Sequence, residues 1–134
     1  MSLLLLLGLL TACSSSDQIE QQSRTAASAA QTVSMALDAW VAGAAPFRYT
    51  ADTLQSAGKT LADAEAQIRS TGTAEPAEQA ALVVAVKDLS AAVARAEAGL
   101  QVGNRTELQN ARQDLQAATR SLAAAYAKYF APKP

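Results

Sequence analysis

The 134-residue sequence predicts an all-α protein, an antiparallel up-down-up-down four-helix bundle that follows a cleaved signal peptide. Three observations lead there. Alanine dominates the chain and glycine and proline are few, a mixture of high helix propensity. The breaks at 43–46, 70–73 and 99–103 divide the chain into four segments. Each segment carries apolar residues that step by three and four in alternation, which is a heptad seam and not the alternation of a strand.

The first segment, about 17–43, has its stripe at Ala26, Ala30, Val33, Leu37 and Trp40 and ends on Gly43-Ala44-Ala45-Pro46. Glycine supplies the positive φ common just past a helix, and proline cannot continue one. Residues 17–25 are polar apart from Ile19, so 13–24 reads as a tether or frayed helix, with packing from near Thr25. A three-helix bundle on a stalk is the alternative architecture. The second helix, about 50–70, offers Thr50 or Asp52 as its cap and Leu54, Ala57, Leu61, Ala64 and Ile68 as its seam.

Thr73-Ala74-Glu75-Pro76 places an acid and a proline where the third helix, about 75–99, should begin. Its stripe is Leu82, Val86, Leu89, Val93, Ala96 and Leu100. Asn104 with Glu107 resembles a capping box opening the fourth helix, about 104–130, whose stripe is Leu108, Ala111, Leu115, Ala118, Leu122, Ala125 and Tyr129. Helices two and four alternate a large residue with alanine, which lets a neighbour approach closely. Short connections favour antiparallel neighbours, so 25–130 is expected to be one bundle with a tail at 131–134.

The chain opens with an apolar run over residues 3–10, far short of the roughly 20 residues that span a bilayer. Its length suits the h-region of a signal peptide at 1–12, although Met1-Ser2 before it carries no Lys or Arg. The run closes on Leu10-Thr11-Ala12-Cys13, followed by Ser14-Ser15-Ser16. Leucine, two small residues and cysteine resemble the lipobox of bacterial lipoproteins. The resemblance implies diacylglycerol on the Cys13 sulfur, cleavage before it and acylation of its amine. Two or more chains, at about 0.8 kcal/mol per buried methylene, make a stable anchor. Ser14 after the cysteine, in place of aspartate, implies the outer membrane facing the periplasm, or the outer face of the membrane in a single-membrane organism.

Cys13 is the only cysteine, so a lipidated chain of about 122 residues has no thiol left for a disulfide or a metal. There is no histidine, which removes the usual imidazole base and the Glu-x-x-His ligands of di-iron bundles. Asp63 with Glu65 diverges around a helix, and Glu75 with Glu78 falls in a first turn where acid suits the dipole. No phosphate loop or nucleophile motif is present. No enzyme, cofactor or metal is therefore expected. Eleven basic and twelve acidic residues nearly cancel, so no nucleic-acid partner is expected either. The basic residues of the fourth helix, Arg105, Arg112, Arg120 and Lys128, are interrupted by Glu107 and Asp114 and read as a solvated face.

Trp40, Phe47 and Tyr49 fall together near the first break, with Tyr126, Tyr129 and Phe130 at the chain end. Antiparallel packing would put the two groups at opposite ends of the bundle, capping it. Exposed rings at 40, 47 and 49 would instead mark a contact site for a partner.

Two further resemblances bear on function. Gly99-Leu100, Glu107-Leu108-Gln109-Asn110-Ala111, Leu115, Arg120 and Tyr126-Ala127-Lys128-Tyr129 are similar to the last part of the soluble four-helix periplasmic cytochrome b family. That family holds haem iron with a histidine near its chain end and an early methionine. Here Ala125 or Tyr126 stands nearest the histidine position, and Met35 lies in the first helix. The resemblance implies the topology and, as an alternative function, a carrier of a small apolar or haem-like ligand. Cys13-Ser14-Ser15 and the near-terminal Lys133 resemble the small murein lipoprotein, but Pro134 follows that lysine, and Pro46 and Pro76 break any continuous coiled coil. The reading expected to be best supported is a non-catalytic lipoprotein, anchored to the membrane through Cys13, whose bundle contacts an envelope protein or peptidoglycan.

Overall fold

The computed structural model describes residues 14–132; the signal segment 1–12, Cys13 and Lys133 of the tail lie outside the described residues. Four helices follow one another: α1 (Ser14–Val41), α2 (Phe47–Ser70), α3 (Pro76–Val102) and α4 (Arg105–Tyr129). Consecutive helices are antiparallel neighbours, and α4 returns beside α1, giving the expected four-helix bundle. The α3–α4 interface is the most extensive, and α1–α4 is the thinnest of the four adjacent pairs. Across the bundle α1 approaches α3, whereas α2 and α4 do not come close. The cross-section is therefore a rhombus with α1 and α3 on its short diagonal.

The seams read from the heptads form the core. Leu54, Ala57, Leu61, Ala64 and Ile68 of α2 are all buried, as are Leu108, Ala111, Leu115, Ala118, Leu122, Ala125 and Tyr129 of α4. On α3 the buried face is wider than one stripe, because Ala85, Ala92 and Gly99 are added to the expected residues. The short diagonal explains this, since α3 meets three neighbours. At Gly99 an added Cβ would lie 3.1 Å from the Glu107 Cβ, so α4 passes close to its backbone there.

Residues 14–24 are not a tether. Helix α1 begins at Ser14, and Ile19 and Ser23 continue its seam into the core at 0% and 2% exposure. One isoleucine and one small serine at heptad spacing suffice, because α2 and α4 extend as far as Gln67 and Tyr126 to meet them. Gln18 Nε2 donates to Gln67 Oε1 at 3.0 Å, and the Tyr126 hydroxyl donates to Glu20 Oε1 at 3.2 Å. A stalk carrying three helices is thereby replaced by four packed helices.

The connections explain the remaining boundaries. Gly43 adopts φ 75°, and Ala44 N–H reaches back to the Ala39 carbonyl at 2.8 Å, closing α1. Helix α2 then starts three residues before the expected Thr50. Pro46 in extended conformation precedes Phe47 with no side-chain cap, and Thr50 lies one turn in, its hydroxyl bonded to the Pro46 carbonyl at 3.1 Å. At the other end of α2, Gln79 Nε2 bonds the Ile68 and Thr71 carbonyls, both at 2.6 Å, so α3 supplies the cap. Gly103 (φ 66°) ends α3, and Asn104 Oδ1 accepts from Glu107 N–H at 3.1 Å to open α4 as expected. The reciprocal half of the box is replaced, because Asn104 N–H donates to the Gly99 carbonyl at 2.9 Å.

Among the described residues, two buried serine hydroxyls, Ser23 Oγ and Ser90 Oγ, have no hydrogen-bond partner. An unpaired buried hydroxyl costs stability that alanine in the same helix would not. Ser23→Ala is expected to raise unfolding stability by about 1 kcal/mol. Leu61→Ala, at a fully buried seam position, is expected to lower it by about 3 kcal/mol. Urea denaturation followed by circular dichroism measures both, and opposite signs are the expected outcome.

Candidate functional site

The direction of each helix sorts the aromatic residues onto two ends. One end, the base, holds the start of α1, the 71–75 connection and the end of α4. The other, the tip, holds the 42–46 connection with the start of α2, and the end of α3 with the start of α4. Helix α1 has 28 residues and so separates the ends by about 42 Å.

The base is closed by paired polar groups over stacked rings. Tyr129 is buried, its hydroxyl 2.6 Å from Thr73 Oγ1, which also accepts from Glu75 N–H at 3.1 Å. Phe130 packs on both tyrosines, with ring centroids 4.7 Å from Tyr126 and 4.8 Å from Tyr129. Tyr126 joins Glu20 and Arg24, and Glu20 also takes Arg24 in an ion pair at 2.8 Å. The hydrogen bond to Tyr126 and then the Glu20 carboxylate hold the Arg24 guanidinium above its ordinary pKa, keeping it charged. The end-plugging role expected for aromatics is thus carried out at the base.

The tip differs. Trp40 is half-buried and packs on the core, and Phe47 meets it edge-on at 6.0 Å between ring centroids. Phe47 is nevertheless 43% exposed and Tyr49 60% exposed. Val102, at the end of α3, is 76% exposed on the same end of the bundle. Of the three predicted contact residues, then, one is mainly structural and two present rings to solvent. Val102 was not singled out from the sequence. It sits just beyond Leu100 and before Gly103, and only the end of α3 at the tip gives it meaning.

Elsewhere the surface is quiet. Arg112 pairs with Asp38 and Arg95 with Asp114, so α4 spends part of its charge on its neighbours. Glu65 pairs with Arg69 at 3.1 Å instead of converging with Asp63. Among the described residues no three potential metal-ligating side chains gather. No described helix is long and apolar enough to cross a membrane. Met35, the methionine that a haem reading would need inside the bundle, is 64% exposed and faces outward.

No family model, curated protein or solved structure matches this chain. Its function therefore has to be argued from its own residues.

The burial pattern separates the tip residues by role. Trp40→Ala removes packing from the core edge and is expected to lower stability by about 2 kcal/mol. Tyr49→Ala, at an exposed position, should stay within about 0.5 kcal/mol of the parent. Thermal melts of the two variants check the contrast; equal losses would mean that Tyr49 also supports the fold.

Proposed function

We propose that this chain is a non-catalytic lipoprotein, anchored through Cys13, that works by contact between its bundle and an envelope protein or the cell wall. The observation that carries the reading is the inequality of the two ends. The base, next to the Leu10-Thr11-Ala12-Cys13 signal, is closed by hydrogen bonds, whereas the tip about 42 Å away leaves Phe47, Tyr49 and Val102 uncovered. Exposed large apolar side chains at one end of a bundle mark a contact surface. Helix α1 starts at Ser14, so a lipid on the preceding residue would be joined directly to a stiff element. Such a geometry carries the tip away from the bilayer.

Ser14 after the cysteine supports the outer membrane, facing the periplasm, in a two-membrane organism. The lack of histidine and the dispersed carboxylates support a binding role over an enzymatic one. The carrier reading gains no such observation, since Met35 faces solvent and the seams fill the interior with Leu, Val and Ala.

Two measurements test the proposal. Mass spectrometry of membrane-extracted protein is expected to find a mature chain beginning at acylated Cys13; a soluble chain beginning at Met1 would overturn the anchor. A photo-crosslinking residue at position 47 is expected to trap an envelope protein or wall fragment in cells, while the same residue at position 84, on the side of α3, should not. Equal capture at 47 and 84, or none at 47, would remove the tip as the contact site.

A further inference from the structure

A broad, open surface depression of about 1010 Å³ runs between α1 and α2. Its walls are made by one sequence pattern used twice. Helix α1 supplies Thr25-x-x-Ser28-Ala29-x-x-Thr32, and α2 supplies Thr53-x-x-Ser56-Ala57-x-x-Thr60. The Gln18–Gln67 hydrogen bond sets the register of the antiparallel pair. Thr25, Ser28 and Thr32 of α1 and Thr53, Ser56 and Thr60 of α2 all line this one depression, the two segments running in opposite directions. The trough is therefore two-fold symmetric in its lining, with hydroxyls along both rims and the buried Ala29 and Ala57 at its floor.

The hydroxyls do not bind the helices to one another. Thr25, Thr32 and Thr53 donate to carbonyls of their own helices, those of Gln21, Ser28 and Tyr49, at 2.9, 3.0 and 2.8 Å. Their oxygens keep acceptor capacity toward the trough. Among the described residues the hydroxyls of Ser28, Ser56 and Thr60 have no protein partner. Close approach of α1 and α2 accounts for the alanines, but alanine or serine would serve that purpose on the rims as well as threonine.

The two-fold pattern breaks only at the ends. Where α1 has Gln21 and Arg24, α2 has Tyr49 and Asp52. Tyr49, the exposed tip ring, thus also forms one end of the trough. The charged lining is Asp17, Glu20 and Asp52 against Arg24, which is itself paired with Glu20. That balance disfavours a polyanion. Apart from Tyr49 the trough has no large apolar side chain, which disfavours an amphipathic helix as its occupant. A neutral chain rich in hydroxyl and amide groups fits both facts: it can exchange donors and acceptors with the rims and lay one ring face on Tyr49.

We propose that the α1–α2 trough binds a glycan chain, with Tyr49 stacking on one sugar ring and Ser28, Ser56 and Thr60 hydrogen-bonding along it. From Gln21 to Thr32 the trough is about 17 Å long, enough for more than one ring. That the glycan is the cell-wall polymer rests on the envelope reading given above; the hydroxyl-lined trough itself does not.

The test is titration of the isotope-labelled full chain, in detergent, with a soluble tetramer of N-acetylglucosamine and, separately, with a maltose-type tetramer. Expected are saturable amide shifts confined to both trough walls and to Tyr49, for at least one of the two sugars. Tyr49→Ala should weaken binding about fivefold. Ser28→Gln with Ser56→Gln, which fills the trough from exposed helix positions, should abolish it while leaving the melting temperature within a few degrees. No saturable shift with either sugar, or shifts that survive the double substitution, would overturn the trough as a glycan site. Trough shifts that depend on protein concentration and not on sugar would instead assign it to a second copy of the chain and overturn the proposal. Failure here leaves acylation of Cys13 and capture at position 47 untouched, so the two readings fall separately. Cosedimentation with insoluble peptidoglycan then identifies the source: retention that the double substitution removes assigns the cell wall, and its absence beside a positive tetramer titration overturns that assignment.

Discussion

The burial of one continuous apolar seam along each helix, alternating large residues with alanine on α2 and α4, is the constraint on which the rest of the structure depends. Helices of 24 to 28 residues in a folded protein owe most of their stability to the packing of an amphipathic face and not to intrinsic propensity. They persist because each buries a stripe against its neighbours. Alanine at every second seam position of α2 and α4 lets neighbours come near, and Gly99 of α3 allows a close approach to Glu107 and Leu108. Across the core α1 and α3 come together while α2 and α4 stay apart. The core is built mainly from Leu, Val, Ile and Ala, with Tyr129, Ser23 and Thr50 as its other large or polar members.

At the ends the outcome is unequal, and the inequality follows from particular residues. Tyr126 and Tyr129 are placed on α4 so that their hydroxyls meet Glu20 and Thr73, and Phe130 closes over both. At the tip, Pro46 starts α2 early, so Phe47 and Tyr49 emerge in its first turn and keep much of their ring surface exposed. Trp40 supports this edge from within. The polar beginning of α1, continued into the core by Ile19 and Ser23, makes the whole of that helix a stiff spacer between the two ends.

Much of this was legible in the heptads, because a seam residue must be apolar whichever neighbour it meets. All the expected stripe positions of α2, α3 and α4 are buried. Less legible was anything that depends on which helices touch. A segment with Ile19 as its sole apolar residue carries too weak a stripe to announce packing, yet Ser23 fits the next seam position by being small. The cap of α2 was misplaced because Thr50 is a good capping residue in isolation, while Pro46 had already started the helix. Val102 becomes a tip residue only through the end on which α3 stops. The paired Thr-x-x-Ser-Ala-x-x-Thr segments stand 28 residues apart in the chain, and only the turn at 42–46 makes them two walls of one trough.

On the proposed reading, lipid on Cys13 tethers the start of α1 and the helix holds the tip away from the membrane; the single tryptophan of the chain reports on that separation. Membrane-extracted protein reconstituted into vesicles containing acyl-brominated lipid gives the measurement, since bromine quenches only a ring within or at the bilayer. The account predicts vesicle-bound protein whose Trp40 emission matches that in unbrominated vesicles, in keeping with a separation of about 42 Å. Strong quenching of Trp40 would place the tip on the membrane and contradict the account.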